Sequence, residues 1–152
     1  MTRRSGLWAV LVGGCIGGLL DIVFAISWAG FNGVAPARLL QTVASGLLGN
    51  SAFEGGIPIA FLGLALHFGM SLLWASVFLM LARRSPKITL HPVVSGVLFG
   101  VIVFFVMRLI VLPLSAFPGP VSFKLLSTVL DLLSHTFLFG LPIALAARKA
   151  LP

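Results

Sequence analysis

Charge is scarce in this chain and acid is scarcest: of 152 residues only three are aspartate or glutamate, against ten lysines and arginines and three histidines. With 9% charged and 59% hydrophobic residues and a mean hydropathy of +1.17, there is too little polar surface to coat a soluble globule. The one cysteine, Cys15, excludes an intrachain disulfide, and it lies among glycines as a small packing residue. No CxxC or HExxH pattern is present, so no zinc signature can be read. Low-complexity segments and soluble-domain stretches are also missing. Whatever the protein does is expected to happen in or at a membrane.

What the chain has instead is four long apolar runs, at about residues 7–29, 57–82, 93–113 and 125–147. At 1.5 Å per residue, runs of about 20 to 26 residues cross a hydrocarbon core of about 30 Å. The expectation is an all-α polytopic membrane protein, a single four-helix transmembrane bundle over residues 1–152. Arg3 and Arg4 precede the first run, Arg83, Arg84 and Lys87 fill the second connection, and Arg148 and Lys149 follow the fourth. The first and third connections carry only Arg38 and Lys124, so both termini are expected on the cytoplasmic side. The formal charge of +7 is largely this bias, and it points to anionic lipid headgroups rather than nucleic acid. A cleavable signal peptide is the competing reading of the first run, with Ser27-Trp28-Ala29 as a small-x-small site; the length of the run and Asp21 inside it oppose that.

Of the connections, the first is long enough to hold an amphipathic helix at about residues 36–48. Pro36 suits its start, Gly49-Asn50 its end, and Leu39, Leu40, Val43 and Leu47 recur opposite Arg38, Thr42 and Ser45. Such a helix lies in the outer interface or gates a cavity. The second connection is short and holds two prolines, which makes the second and third spans antiparallel neighbours. Pro118 and Pro120 keep the third from being helical throughout.

Gly13, Gly14, Gly17 and Gly18 in the first span form overlapping small-xxx-small pairs that admit another backbone, and Gly96 and Gly100 repeat the spacing in the third. This seam packs inward or joins a second copy. Leu66-His67 also stands as far from Arg84 as Leu130-Asp131 does from Arg148, the pattern two duplicated hairpins would leave.

Ionisable residues occur in all four spans: Asp21, His67, Arg108, Asp131 and His135. Counted from the span edges, Asp21 and Arg108 lie about 21 to 22 Å from the inner boundary and Asp131 about 9 Å below the outer one, a single level, with both histidines near the centre. An aspartate or arginine in hydrocarbon costs at least about 2.5 to 3.5 kcal/mol, which favours their facing one another or a wet cavity. Two aspartates and one arginine leave a negative charge for a proton, a histidinium or a cation to cancel. A protonatable site handling an ion or small solute is the functional expectation. The alternatives are an accessory subunit of a larger membrane complex, using the glycine seam, and purely structural ties in which Arg108 pairs with Asp21 or Asp131, or snorkels outward.

No cofactor is expected. His67 and His135 at one depth would suit a bis-His haem b, and with Asp131 a divalent metal. Ser71 with His67 is the candidate pair for catalysis, and a non-enzymatic role is preferred. Glu54, before the second span, suits an N-terminal helix charge. His91 is an interfacial residue, Trp8, Trp28 and Trp74 are partly belt residues, and the phenylalanines are bulk packing.

With its glycine-rich first helix and Asp21, Ala44-Ser45-Gly46, Glu54-Gly55-Gly56, mid-helix His67, and Met107 ahead of Val111-Leu112-Pro113-Leu114-Ser115, the chain resembles the small bacterial inner-membrane proteins of the YagU type. The resemblance spans most of the chain. It implies a bacterial inner membrane and carries over no catalytic or ligand residue.

Overall fold

The computed structural model describes residues 5–151, so Arg3 and Arg4, on which the expected orientation partly rests, lie outside the described residues. Four helices in it are long and apolar enough to cross a membrane: Gly6–Phe31, Gly56–Arg84, Pro92–Leu114 and Leu125–Ala150. No strand occurs among the described residues. Helix α1 (Gly6–Phe31) leads to α2 (Pro36–Leu48), then through a 3-10 turn to α3 (Gly56–Arg84) and the short α4 (Lys87–Leu90). The third span is α5 (Pro92–Val106), a π-helical segment Met107–Val111 and α6 (Leu112–Leu114). The fourth is α7 (Leu125–Leu133), a longer π segment Ser134–Gly140 and α8 (Leu141–Ala150).

Helix α1 is the hub. It packs on α3 along one side and on the fourth span along the other, while α5 packs on the far side of the fourth span. The glycines explain how. A Cβ on Gly14 would meet Leu72 Cα at 3.2 Å and one on Gly18 the Ser71 hydroxyl at 2.8 Å, both on α3. On the other face a Cβ on Gly13 would meet Ile143 Cα at 3.0 Å and one on Gly17 the Phe139 carbonyl at 2.9 Å. The seam is therefore filled inside the chain, on two faces at once. Gly96 and Gly100 do the same for α5, against Gly140 and against the backbone of His135 and Thr136. Gly18 thus meets Ser71 and Gly100 meets His135 in the two hairpins, at the offset that relates His67 to Asp131.

Three expectations are corrected by this packing. The second and third spans are not backbone neighbours; rings bridge them, Phe99 lying edge-on to Phe78 at 4.9 Å and to Trp74 at 6.1 Å. Trp74 Nε1 is buried there without a hydrogen-bond partner. Cys15 is exposed rather than packed, because α1 presents its two glycine stripes to neighbours and turns the residues between them outward. Glu54 does not cap α3, which is preceded by Gly55 without a side-chain cap bond; it closes the 3-10 turn one residue earlier.

The apolar core, with Ala9, Ala75, Phe78, Phe99, Val103 and Ile143, fills the half of the bundle toward Arg83 and Arg84. At that end the start of α1 meets Arg83, and α4 packs on α8, which ends in Arg148 and Lys149. Helix α2 roofs the opposite half. It is bounded by Gly33 at φ 79° and by Gly49 at φ 63°, ψ −144°, a conformation essentially reserved for glycine. Its buried face is Gln41, Ala44 and Ser45, whereas Leu47 is 60% exposed. The buried face is therefore turned from the one read from the leucines toward Gln41 and Ser45, with Leu39, Leu40 and Val43 left half-buried beside it. The reason is close approach: Gly63 of α3 lies directly under the Leu40 carbonyl, which only small residues on α2 permit. Gln41 donates from Nε2 to the Gly56 carbonyl at 2.9 Å, and the Ala116 N–H donates to the Gly46 carbonyl at 2.9 Å, fastening α2 to the start of α3 and to the connection after α6.

Candidate functional site

Prolines shape the site. Pro113 has no N–H for the Leu109 carbonyl, and Pro142 none for that of Leu138, so each α-helical ladder is interrupted one turn earlier. Both π segments end two residues before such a proline. A π turn adds a residue and rotates the next stretch of helix by about 100°. Arg108 lies in the first segment and Ser134-His135 open the second, so the two distorted turns carry the key side chains.

Those side chains form a chain in which basic and acidic groups alternate. The guanidinium Nε of Arg108 lies 3.4 Å from Asp131 Oδ2. Its Nη1 donates to the Ser122 carbonyl at 3.0 Å and to Thr128 Oγ1 at 3.3 Å, and the rings of Phe104 and Phe123 flank it at 5.3 and 5.2 Å. Arg108 is thus held inward rather than snorkelling. On the other side of Asp131, Oδ1 lies 3.2 Å from His135 Nδ1, one helix turn on. The same Nδ1 reaches the Asp131 carbonyl at 3.0 Å and stands 3.6 Å from Asp21 Oδ1. Asp21 also accepts from the Ser134 hydroxyl at 2.7 Å. The order is Arg108, Asp131, His135, Asp21. Arg108 therefore ties the third span to the fourth through Asp131, and Asp21 is reached only through histidine.

His67 joins by a different route. Its Nε2 donates to the Gly18 carbonyl at 2.8 Å, a bond that a neutral ring satisfies. One turn on, Ser71 Oγ donates to the Gly14 carbonyl at 2.6 Å. The two side chains each clip α3 to the glycine stripe of α1, and the expected Ser71–His67 pair does not form. Exposed glycine carbonyls, left open by the absence of side chains, are the physical reason. Haem ligation at both histidines would require His67 to give up this bond. Among the described residues, no group of three or more His, Cys, Asp or Glu side chains is placed to hold a metal ion.

All five ionisable residues expected from the sequence line one cavity of about 530 Å³. Its other walls are mostly apolar, with Met70 from α3, Phe104 and Met107 from the third span, and Leu39 and Val43 from α2. Three polar groups and one helix complete the site, and of these only the Ser122 carbonyl was out of reach of sequence reasoning. Ser134 completes the Asp21 carboxylate, Thr128 and the Ser122 carbonyl hold Arg108, and α2 closes the roof. The seryl and threonyl residues were legible as neighbours of Asp131 on one helical face, whereas the Ser122 carbonyl, being backbone, leaves no trace in residue type.

No protein-family model matches this chain, and no curated protein or solved structure shows significant similarity to it.

Proposed function

We propose that the chain is a multi-pass protein of the bacterial inner membrane, both termini cytoplasmic, whose cavity takes an ion or small solute next to a proton-carrying Asp21–His135–Asp131–Arg108 chain. Four apolar helices with large aliphatic and phenylalanine side chains turned outward support embedding in lipid. The gathering of Arg83, Arg84, Lys87, Arg148 and Lys149 toward one end supports the orientation. Resemblance to YagU-type proteins supports the compartment.

One observation carries the functional part: the five ionisable groups surround a cavity of about 530 Å³ rather than one another alone. Charges that merely tie helices together pack without voids, since interiors hold few spaces larger than a water, and Asp21, His135, Asp131 and Arg108 offer water the polar partners it needs to enter this otherwise mostly apolar space. The glycine seam, filled from within, lends no support to the alternative of an accessory subunit.

Thiol accessibility tests the proposal. On a Cys15→Ser background, Met70→Cys and Met107→Cys in vesicles are expected to react with a small charged methanethiosulfonate added from outside. Ala75→Cys, 2% exposed in the packed half, is expected to stay unreactive. Labelling of Met70→Cys and Met107→Cys only after denaturation would overturn the water-accessible cavity.

A further inference from the structure

The charge balance of the cavity identifies its ligand class. Resting on the reading of a water-accessible cavity, we propose that it binds a monovalent organic cation with a bulky apolar body, an ammonium or phosphonium type of molecule, in exchange for one proton. The charges facing His135 come from every element around it: Asp21 from α1, His67 from α3, Arg108 from the third span and Asp131 from its own helix. Helix α2 contributes Leu39, Thr42, Val43, Gly46 and Leu47 and no charge.

Arg108 is already committed. Asp131, the Ser122 carbonyl, Thr128 and two aromatic rings hold it, so it neutralises one acid. His67 bonds a carbonyl rather than a carboxylate and counts as neutral. What remains is Asp21, which has a hydroxyl and, 3.6 Å away, the shared imidazole of His135. With a proton on His135 the cluster is neutral. Without it, one negative charge is left at the end of an apolar cavity, and such a charge is costly unless compensated. An anion would double the imbalance. A bare inorganic cation needs a cage of oxygens, and the walls here are Met70, Met107, Phe104, Phe117 and leucines. An organic cation uses both features: its charge pairs with Asp21 and displaces the proton, while its body lies on aromatic faces and adaptable thioethers. A volume of about 530 Å³ falls within the range of roughly 300 to 1,000 Å³ of ordinary small-molecule sites.

Two probes of one shape and opposite charge test this. Tetraphenylphosphonium and tetraphenylborate would be titrated into the purified full chain in mild detergent. The phosphonium is expected to bind saturably and the borate at least tenfold more weakly. Phosphonium affinity is expected to rise with pH, approaching tenfold per unit where one proton leaves per cation bound. Asp21→Asn should lose at least tenfold in phosphonium affinity together with the pH dependence, and Asp21→Glu should restore both. Equal binding of the two ions, no saturable phosphonium binding, or pH-independent affinity in the unmodified chain would each overturn the proposal without requiring a variant to fold. The thiol assay separates the two readings. If Met107→Cys labels but phosphonium neither binds nor protects it, the cavity stands and the ligand class falls; if it does not label, the cavity falls first.

Discussion

Arg108→Leu is expected to cost about 2 kcal/mol, between the fraction of a kcal/mol of an exposed ion pair and the 3 to 5 of a fully buried one. The intermediate figure rests on side chains that are 18% and 36% exposed and on an Nε–Oδ2 distance of 3.4 Å, long for a charge-assisted bond. Removing the guanidinium strands Asp131 and empties the space between Phe104 and Phe123. Adding Asp131→Asn should recover more than half of the lost melting temperature, since the stranded carboxylate is gone. Adding Asp21→Asn should not, because Asp21 is held by Ser134 and His135 rather than by Arg108. Thermal melting of the three variants in one detergent decides between them. Equal rescue by both asparagines would mean that Arg108 serves the two acids jointly, as composition alone allows.

Two alanine substitutions of glycine are expected to act with opposite signs. In Gly100→Ala the new methyl would fall on the His135 carbonyl and 2.6 Å from Thr136 Cα, backbone that cannot rotate away. Overpacking of this kind costs about 1 to 3 kcal/mol, occasionally more, and here it also pushes the π segment that carries His135. Sharply lower expression or melting temperature is expected. Gly69→Ala in α3 meets nothing within 4 Å, so it should be neutral or stabilising by up to about 1 kcal/mol through helix propensity. The comparison is read by fluorescence size-exclusion after heating. If Gly100→Ala melts with the parent protein, the third and fourth spans do not touch at Gly100.

The spans were legible because an apolar run of span length is a statement about composition, which survives ignorance of tertiary contacts. Helix α2 was legible through Pro36 and Gly49, but its buried face was not. Leucines suggested one side, yet close approach at Gly63 selects Gln41, Ala44 and Ser45, a requirement set by another helix. The convergence of Asp21, His67, Arg108, Asp131 and His135 on one cavity followed from the cost of charge in hydrocarbon. Their pairing did not. Counting depth at a uniform helical rise treats the third and fourth spans as regular, whereas π turns at Met107–Val111 and Ser134–Gly140 rotate Arg108 toward Asp131 and His135 between the two acids. Pro113 and Pro142 were the available signal. Apolar pattern could not show that α3 and α5 stand apart, because every face of a span is apolar, and the short second connection suggested neighbours that only Phe99 and its partners join.

The central claim is that Asp21 and His135, on different spans, meet at the cavity. With only two aspartates and three histidines in the chain, selective isotopes can isolate the pair. Protein carrying Asp131→Asn leaves Asp21 as the sole aspartate; with its carboxyl carbon labelled ¹³C and the imidazoles labelled ¹⁵N, it can be reconstituted in lipid bilayers for dipolar-recoupling NMR. An Oδ1–Nδ1 separation of 3.6 Å places the carbon within coupling range of His135 Nδ1, so a resolved coupling is expected that disappears in His135→Gln and persists in His67→Gln. A carboxyl carbon with no histidine coupling, or one coupled only to His67, would contradict the charge chain and with it the proton-carrying cavity.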